Sequence, residues 1–280
     1  MVIPCLHPST PGRRLDLPEY LAVAQEAGFS LVDWDAGDIL GRVERDGLEA
    51  VKRLFSDHRV SWAGFGVPTD LFADEATFQA SLERVARVGH VAHQFHATRA
   101  MTWLWPSIDE PPVAVALQIV RRARQVADLL AQSEVQLGLE FVGPHHLRNK
   151  KYPLLHSLTD MLALIDAIDR PNVGVLLDSY HWYTSESSLE ELQTLPVAKV
   201  VEVHINDATK SPSEAHDQDR VLPGEGQIPL KTFLSYLGKG GYDGPLSLEI
   251  LRQRPPEDPP SVVARRAFGG LSRLIAQASP

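Results

Sequence analysis

Short apolar runs rich in β-branched residues alternate with longer helical patterns along the whole chain, and this alternation limits the possible folds more than any other feature. The runs predicted to be strands are Val2–Leu6, Leu31–Trp34, Val60–Phe65, His96–Trp103, Val135–Phe141, Val173–Leu177, Lys199–Ile205 and Leu246–Leu251. Most of them are apolar along their length, which is typical of strands that are covered on both faces. Because consecutive parallel strands need a crossover connection, usually a helix, the alternation predicts a parallel sheet with helices packed against it.

The segments between these runs carry apolar residues at helical spacing. The predicted helices are Leu17–Ala27, Asp74–Val91, Val113–Ala131, Leu158–Ile168, Ser188–Leu195, Leu230–Leu237 and Ser261–Ala276. About eight strand–helix units in a chain of 280 residues favour one closed barrel over two smaller sheets. No linker rich in Gly or Ser interrupts the pattern, and the proline-rich stretch 252–260 is too short to be one. We therefore predict the α/β class, as a (β/α)8 TIM barrel in a single domain of residues 1–280.

The charge and the cysteine content exclude several classes of function. The chain has 27 basic and 36 acidic side chains, so its formal net charge is −9, and such a surface repels nucleic acids and acidic lipids. The single cysteine, Cys5, excludes a disulfide framework within the chain and fits a reducing compartment. No run approaches the roughly 18 apolar residues of a membrane span, and no signal peptide is visible. These observations predict a cytoplasmic protein without nucleic-acid or membrane partners.

Four successive predicted strands, the fifth to the eighth, carry a potential metal ligand near their carboxyl ends. These residues are Glu140, Asp178, His204 and Glu249. Each of them alone is more often a helix cap, a salt-bridge partner or a core residue. In TIM barrels the functional site lies at the carboxyl ends of the strands, so we expect the four side chains to meet there.

Three carboxylates that meet at a barrel mouth would repel one another, and each would be costly to bury without a partner. A divalent cation removes both difficulties. Three carboxylates and one imidazole form a hard donor set of mostly oxygen atoms, which suits Mn²⁺, Mg²⁺ or Co²⁺ and also accepts Zn²⁺. The pattern therefore predicts a site for one divalent metal ion.

Three motifs carry a resemblance to a known family. They are Glu140-Phe141-Val142-Gly143, Asp178-Ser179-Tyr180-His181 and His204-Ile205-Asn206-Asp207. With these motifs the chain resembles the sugar isomerase/epimerase superfamily of xylose isomerase-like TIM barrels. The stretch 219–230, which contains Leu-Pro-Gly-Glu-Gly, and Ser247-Leu248-Glu249-Ile250 most resemble the inosose (2-keto-myo-inositol) isomerases. The resemblance is dense from about Val135 to Arg252.

The resemblance implies roles for six residues. Glu140, Asp178, His204 and Glu249 would bind the metal ion, Glu140 and Glu249 would also act as acid and base, and His181 and Arg220 would contact substrate oxygens. The implied activity is the isomerisation or epimerisation of a keto-sugar or keto-inositol, phosphorylated or not. One glutamate would remove the proton next to the ketone and the other would return it, through a metal-stabilised cis-enediolate.

Other members of the same superfamily provide the alternatives. A metal-dependent lyase or dehydratase, similar to dehydroshikimate dehydratase or the 3-keto-glycoside lyases, would use the same metal and base but expel a leaving group. The AP endonucleases need three zinc ions, and this chain has Asp219-Arg220-Val221 where they have Asp-Arg-His. A barrel that only binds a sugar would not need both Glu140 and Glu249. The sequence leaves the substrate, the metal and the oligomeric state open, a homodimer included.

Several further residues have two interpretations each. The basic segment His145–Lys151 would either bind a phosphate or carboxylate of the substrate or form a solvated loop, and its His146 differs from the carboxylate of ketose 3-epimerases. Asp33 and Asp35 would either bind a substrate hydroxyl or face solvent, and Asp207 is predicted to hold His204. The aromatic residues that would either line the substrate pocket or pack in the core are Trp34, Trp62, Trp103, Trp105, Trp182 and Tyr183.

Overall fold

Eight parallel strands close into a barrel in the computed structural model, which describes residues 2–278. The barrel strands are β1 (Ile3–Leu6), β2 (Leu31–Asp33), β3 (Ser61–Gly66), β4 (Arg99–Leu104), β5 (Gln136–Phe141), β6 (Val173–Asp178), β7 (Val200–Ile205) and β8 (Pro245–Leu248). Each strand pairs with the next along the chain, and β8 pairs with β1. The predicted TIM barrel is confirmed. Met1, Ser279 and Pro280, which the single-domain assignment includes, lie outside the described residues.

The helices lie between the strands and after the last one. In residues 2–278 they are α1 (Leu17–Ala27), α2 (Ala36–Asp46), α3 (Leu48–Asp57), α4 (Glu75–Gln94), α5 (Pro112–Ala131), α6 (Leu158–Ile168), α7 (Ser179–Thr184), α8 (Leu189–Thr194), α9 (Leu230–Lys239) and α10 (Pro260–Ala278). The sequence patterns predict no helix between β2 and β3, yet α2 and α3 occupy this connection. Each of the two buries only a narrow apolar stripe, Ala36, Ile39 and Leu40 in α2 and Val51 and Phe55 in α3.

Local signals set the ends of several elements. The Asp16 side chain accepts a hydrogen bond from the backbone of Glu19 at the start of α1, and Glu19 returns one to Asp16. Strand β8 is predicted to extend to Leu251 but ends at Leu248, because the Thr10 hydroxyl donates to the Leu248 carbonyl and accepts from the Ile250 N–H group, in place of a neighbouring strand. Glu249 therefore leaves the sheet at the barrel mouth.

Some of the aromatic residues predicted to line the pocket or pack in the core are buried, and others are exposed. The Trp62 indole donates to the Gly64 carbonyl at 2.9 Å in the core, and the buried Trp182 packs against a ring of α9. Trp103, in contrast, is 48% exposed and lies against Trp105. Core packing thus accounts for two of these residues. No helix within residues 2–278 combines the length and the apolar character that crossing a membrane requires.

Candidate metal centre

Four side chains from β5, β6, β7 and the residue after β8 meet at the barrel mouth. One ligand atom from each of Glu140, Asp178, His204 and Glu249 lies within 4.8 Å of the others. His204 Nδ1 is 3.2 Å from Glu249 Oε2 and 3.8 Å from Glu140 Oε1. The four residues selected from the sequence are therefore brought together by the fold, and we refer to them as the mouth cluster.

The strand ends position these side chains. Glu140 is the last residue but one of β5, and Asp178 ends β6 opposite His204 of β7. The Asp178 carboxylate also caps α7, because it accepts a hydrogen bond of 2.6 Å from the Tyr180 N–H group. The Asn206 amide donates to the same carboxylate at 3.0 Å. Asp178 is thus both a helix cap and a member of the cluster.

The mouth cluster is nearly closed to solvent and contains a buried oxygen without a partner. Glu140, Asp178 and His204 are buried, and the Glu249 side chain is 13% exposed. Within the described residues, Glu140 Oε1 has no hydrogen-bond donor, although it lies inside the cluster. A buried carboxylate oxygen without a partner is costly unless a ligand completes it. The donor set and this oxygen fit a divalent metal ion.

Arg220 supplies a cation that faces the cluster. Its Nη1 is 2.7 Å from Asp178 Oδ2 and 2.7 Å from Glu249 Oε2. Its Nη2 donates to Asp217 at 2.6 Å and lies 3.2 Å from His181 Nε2, and its Nε donates to the Asp217 carbonyl at 3.2 Å. Four of these partners are oxygen acceptors, whereas His181 already accepts a hydrogen bond from the Gly143 N–H group at Nδ1, so a substrate oxygen could accept from the fifth N–H group of the guanidinium. Arg220 thus forms an ion pair with Asp217 and also contacts Asp178 and Glu249 of the mouth cluster.

The charges around the cluster shift the pKa values of its two glutamates in opposite directions. Burial and the neighbouring charges of Asp178 and Glu249 raise the pKa of Glu140 well above its ordinary value. Burial acts in the same sense on Glu249, but the His204 and Arg220 cations outweigh it and hold its pKa well below the ordinary value. Burial alone would lower the pKa of His204, but Glu249 and Glu140 raise it to about 10. Glu140 therefore has a higher affinity for a proton than Glu249.

One residue at the cluster was not predicted from the sequence. His7 follows β1, and its Nε2 lies 3.5 Å from Glu249 Oε1, with its ring centroid 5.3 Å from that of His204. Burial, aided by the His204 cation, lowers the pKa of His7 although Glu249 opposes this. The sequence could have predicted a place for His7 at the barrel mouth, because His7 directly follows the first apolar run and the cluster ligands lie near the ends of later runs.

The predicted role of Asp207 is wrong. Its carboxylate does not contact His204 but accepts hydrogen bonds of 3.0, 3.0 and 2.9 Å from backbone N–H groups of Gly224, Gly226 and Ile228. Asp207 therefore fixes the loop that follows Arg220. This loop carries the Leu-Pro-Gly-Glu-Gly stretch, so the carboxylate stabilises the backbone next to the site.

A second group of ligand-type side chains lies deeper inside the barrel. Cys5 of β1, Asp33 of β2 and Glu202 of β7 each place one ligand atom within 4.8 Å of the others, and we refer to them as the inner cluster. Of the two interpretations of Asp33, the solvent-facing one is wrong, because Asp33 is 2% exposed and accepts a hydrogen bond from the Ser247 hydroxyl inside the barrel. Asp35, its neighbour in the pattern, caps α2.

The basic segment His145–Lys151 uses most of its cations within the protein. His145 Nε2 is 3.3 Å from a carboxylate oxygen of Glu186, and Arg148 donates to two backbone carbonyl groups. The ammonium groups of Lys150 and Lys151 lie over aromatic rings, 5.2 and 4.9 Å from the ring centroids. These contacts favour the interpretation as a loop over that as an anion site.

Comparison with known proteins identifies the family. A sequence model described as the xylose isomerase-like TIM barrel matches residues 21–268. The chain belongs to this family. The xylose isomerase-like family assignment made from the motifs is thereby confirmed. A xylose isomerase domain protein of known structure from Alicyclobacillus acidocaldarius is 41% identical, with a TM-score of 0.94 and a coverage of 99% of both chains.

Relatives of known activity include an isomerase and a dehydratase. The inosose isomerase of Bacillus subtilis is 30% identical over 129 residues, which are 46% of this chain and 44% of that enzyme, so the match spans less than half of its length. The 3-dehydroshikimate dehydratase of Pseudomonas aeruginosa is 32% identical over 246 residues, which are 84% of this chain and 36% of that enzyme. The structure of the IOLI protein with a zinc atom has a TM-score of 0.81 over 99% of this chain and 98% of that chain at 19% identity, which shows the fold alone.

Proposed function

We propose that this chain is a divalent-metal-dependent isomerase or epimerase that acts on a keto-sugar or keto-inositol by proton transfer through an enediolate. The observation that supports this most is the placement of two glutamates at one nitrogen of His204. Glu249 lies 3.2 Å and Glu140 3.8 Å from His204 Nδ1, and they come from strands well separated around the barrel. Two carboxylates with different proton affinities at one site suit the removal and return of a proton.

Glu140, Asp178, His204 and Glu249 would hold one divalent metal ion. A bound divalent cation supplies Lewis acidity, which makes the carbon next to a ketone easier to deprotonate. The oxygen-rich donor set suits Mn²⁺, Mg²⁺ or Co²⁺ and accepts Zn²⁺. Asn206, which donates to the Asp178 carboxylate at 3.0 Å, would keep this ligand oriented.

The chain's own groups would divide the proton transfer between them. Glu249, whose pKa the His204 and Arg220 cations lower, would remove and keep the proton next to the ketone, and Glu140, whose pKa is raised, would donate its own proton in exchange. Return to the same carbon gives an epimer, and return to the adjacent carbon gives an isomer. His181 and Arg220 would contact substrate oxygens, and the burial of the cluster would keep bulk water from the carbanionic species.

A dehydratase is the second candidate, because a dehydratase matches as much of this chain as an isomerase does. The Pseudomonas aeruginosa enzyme is similar over 84% of the chain, and the 2-oxo-tetronate isomerase of Haemophilus influenzae is similar over 81%. The same base would then remove the proton while a hydroxyl group β to the carbonyl leaves as water. Loss of water from the product, against conversion at constant mass, distinguishes the two reactions.

The test is proton exchange in D₂O. We expect the metal-loaded chain to introduce deuterium next to the ketone of an inosose or ketose, as followed by NMR, and Glu249→Gln to reduce the rate by about 100-fold or more, the range of general base catalysis. Glu225→Gln is the matched control, since the Glu225 side chain is 45% exposed and is not part of the cluster. Unchanged exchange in the Glu249 variant would contradict its role.

A further inference from the structure

A cavity of about 870 Å³ opens between the loops that follow β1 and β8 and the start of α2. The arginines that line it are Arg13, Arg14, Arg42, Arg252 and Arg254, and the acidic residues are Asp16, Asp35 and Asp38. Five cations against three anions are unusual in a chain whose formal net charge is −9. We refer to this cavity as the arginine pocket.

The aspartates of the pocket already have structural partners. Asp16 and Asp35 accept backbone hydrogen bonds as the caps of α1 and α2. Asp38 accepts a hydrogen bond of 2.8 Å from the Trp34 indole and one of 2.8 Å from Arg42. Only Arg42 among the five arginines is therefore neutralised by a direct ion pair inside the pocket.

The other four guanidinium groups lack an anionic partner. Among the described residues 2–278, Arg13, Arg14 and Arg254 form no hydrogen bond and no ion pair, and all three are exposed. Arg252 donates to the Thr10 carbonyl at 2.9 Å, and burial together with the Arg266 cation lowers its pKa. Guanidinium groups bind phosphate and carboxylate in a planar, two-pronged geometry, so such a group of cations favours an oxyanion ligand.

Residues that line the arginine pocket adjoin the surroundings of the mouth cluster along the chain. Pro8 and Ser9, which line the pocket, directly follow His7, and Ile250 directly follows Glu249. His7 Nε2 and Glu249 Oε1 are 3.5 Å apart. The segments after β1 and β8 thus contribute both to the lining of the arginine pocket and to the surroundings of the mouth cluster.

We infer that the arginine pocket binds an oxyanion group, a phosphate or a carboxylate, carried by the substrate of the mouth cluster. The identity of the ligand as substrate rests on the proposed function, whereas the binding of an oxyanion does not. The inference narrows the substrate class to anionic keto-polyols. It also places the anion site in the loops after β1 and β8 rather than in the basic segment His145–Lys151.

Calorimetric titration of the full chain with inorganic phosphate and with malonate, without added metal, tests the oxyanion site. We expect one anion to bind, and the double variant Arg13→Gln/Arg14→Gln to weaken it by about tenfold or more, since charge-assisted hydrogen bonds are lost. The matched control Lys150→Gln/Lys151→Gln removes the same charge and should change the affinity less than about twofold. Whichever anion binds more tightly identifies the group. Failure of both anions to bind, or equal weakening in the two double variants, would overturn the site.

Kinetics with neutral and anionic keto-polyols test the link to the substrate. We expect Arg13→Gln/Arg14→Gln to raise KM for the anionic substrates and to leave kcat and the KM of neutral substrates unchanged. Equal effects on neutral and anionic substrates would overturn the assignment of the ligand as substrate. If no substrate exchanges its proton while the two arginines still control anion binding, the proposed function fails and the oxyanion site is upheld.

Discussion

The mouth cluster and the inner cluster are built from similar side chains, but their surroundings differ. In both groups the ligand atoms lie within 4.8 Å of one another. The mouth cluster faces the Arg220 guanidinium, and its His204 is itself a cation at neutral pH. In the inner cluster, Ser247 donates to Asp33, but both oxygens of Glu202 lack a partner among the described residues.

The different surroundings of the two clusters show that short distances between carboxylates do not by themselves define a metal site. Arg99 acts on Glu202 only through its charge, since its Nε donates to the Val201 carbonyl instead. Burial and the Asp33 charge raise the pKa of Glu202 well above its ordinary value, so the inner cluster balances its charge with a proton. The mouth cluster contains ionised groups that a metal ion can use directly. We therefore expect the metal ion to bind at the mouth.

The largest expected effect is on metal affinity, and it is found by replacing one glutamate of each cluster by glutamine. Glu140→Gln should weaken binding of Mn²⁺ or Zn²⁺ by more than about 100-fold, because even partners outside the ligand set contribute about 10- to 100-fold to metal affinity. Glu202→Gln should leave the affinity and a stoichiometry of one ion per chain unchanged. Equilibrium dialysis followed by elemental analysis measures both quantities.

Two results would contradict this comparison. A second bound ion that disappears in Glu202→Gln would show that the inner cluster also takes a metal. Co²⁺ provides an independent readout, since a thiolate ligand such as Cys5 gives a charge-transfer absorption that three carboxylates and one imidazole do not. Equal metal loss in the Glu140 and Glu202 variants would show that the two clusters act as one site.

The second prediction concerns protons. His204, with a pKa of about 10, is protonated in the metal-free chain at pH 7. A histidine ligand must be deprotonated, so binding should release about one proton per ion and metal affinity should rise with pH. Calorimetry in two buffers of different ionisation enthalpy measures the release. A release near zero, with pH-independent affinity, would place the ion elsewhere.

The barrel could be predicted from the sequence because its signal is local and repeated. Each apolar run and each helical segment is recognisable on its own, and α1 and α6 have the predicted bounds. Helices α2 and α3 were missed because the apolar stripe that each of them buries is narrow, three residues in α2 and two in α3. The end of β8 was misplaced because a side chain, that of Thr10, replaces the strand partner, and no run of residues encodes such a contact.

The mouth cluster could be predicted because topology alone brings strand ends together. The inner cluster was missed, although Glu202 lies two residues before His204 and so points to the same side of β7. Glu202 lies close to Cys5 and Asp33 only because the barrel closes and the side chains reach one another, and the sequence pattern predicts neither distance. The arginine pocket was missed because four of its five arginines come from loops near opposite ends of the chain, and the fifth, Arg42, lies in α2.

The third prediction tests how tightly the inner cluster is packed. A Cβ atom on Gly64 would lie 2.6 Å from Glu202 Oε2, 2.8 Å from Met101 Cε and 2.9 Å from Asp33 Oδ1. We expect Gly64→Ala to destabilise the chain by about 1–3 kcal/mol, as overpacking of a core does. Gly66→Ala on the same strand is the control, since its Cβ meets no atom within 4 Å. Equal midpoints of the two variants in urea unfolding would mean that the inner carboxylates can move apart freely.

The smallest expected effect is the pH dependence of stability in Glu202→Gln. Burial and Asp33 raise the folded pKa of Glu202 above the unfolded value of about 4.3, so the unfolded chain loses this proton first as the pH rises. The stability of the natural chain therefore falls between the two pKa values, whereas glutamine stays neutral at every pH.

The Glu202 variant should consequently match the natural chain near pH 4 and exceed its free energy of unfolding at pH 8, by on the order of 1 kcal/mol. Urea unfolding of the metal-free proteins at several pH values measures the difference, with Glu225→Gln as the exposed control. A difference that shrinks or reverses with rising pH would mean that Glu202 is ionised inside the barrel and neutralised by a cation. The inner cluster would then contain ionised groups, as the mouth cluster does.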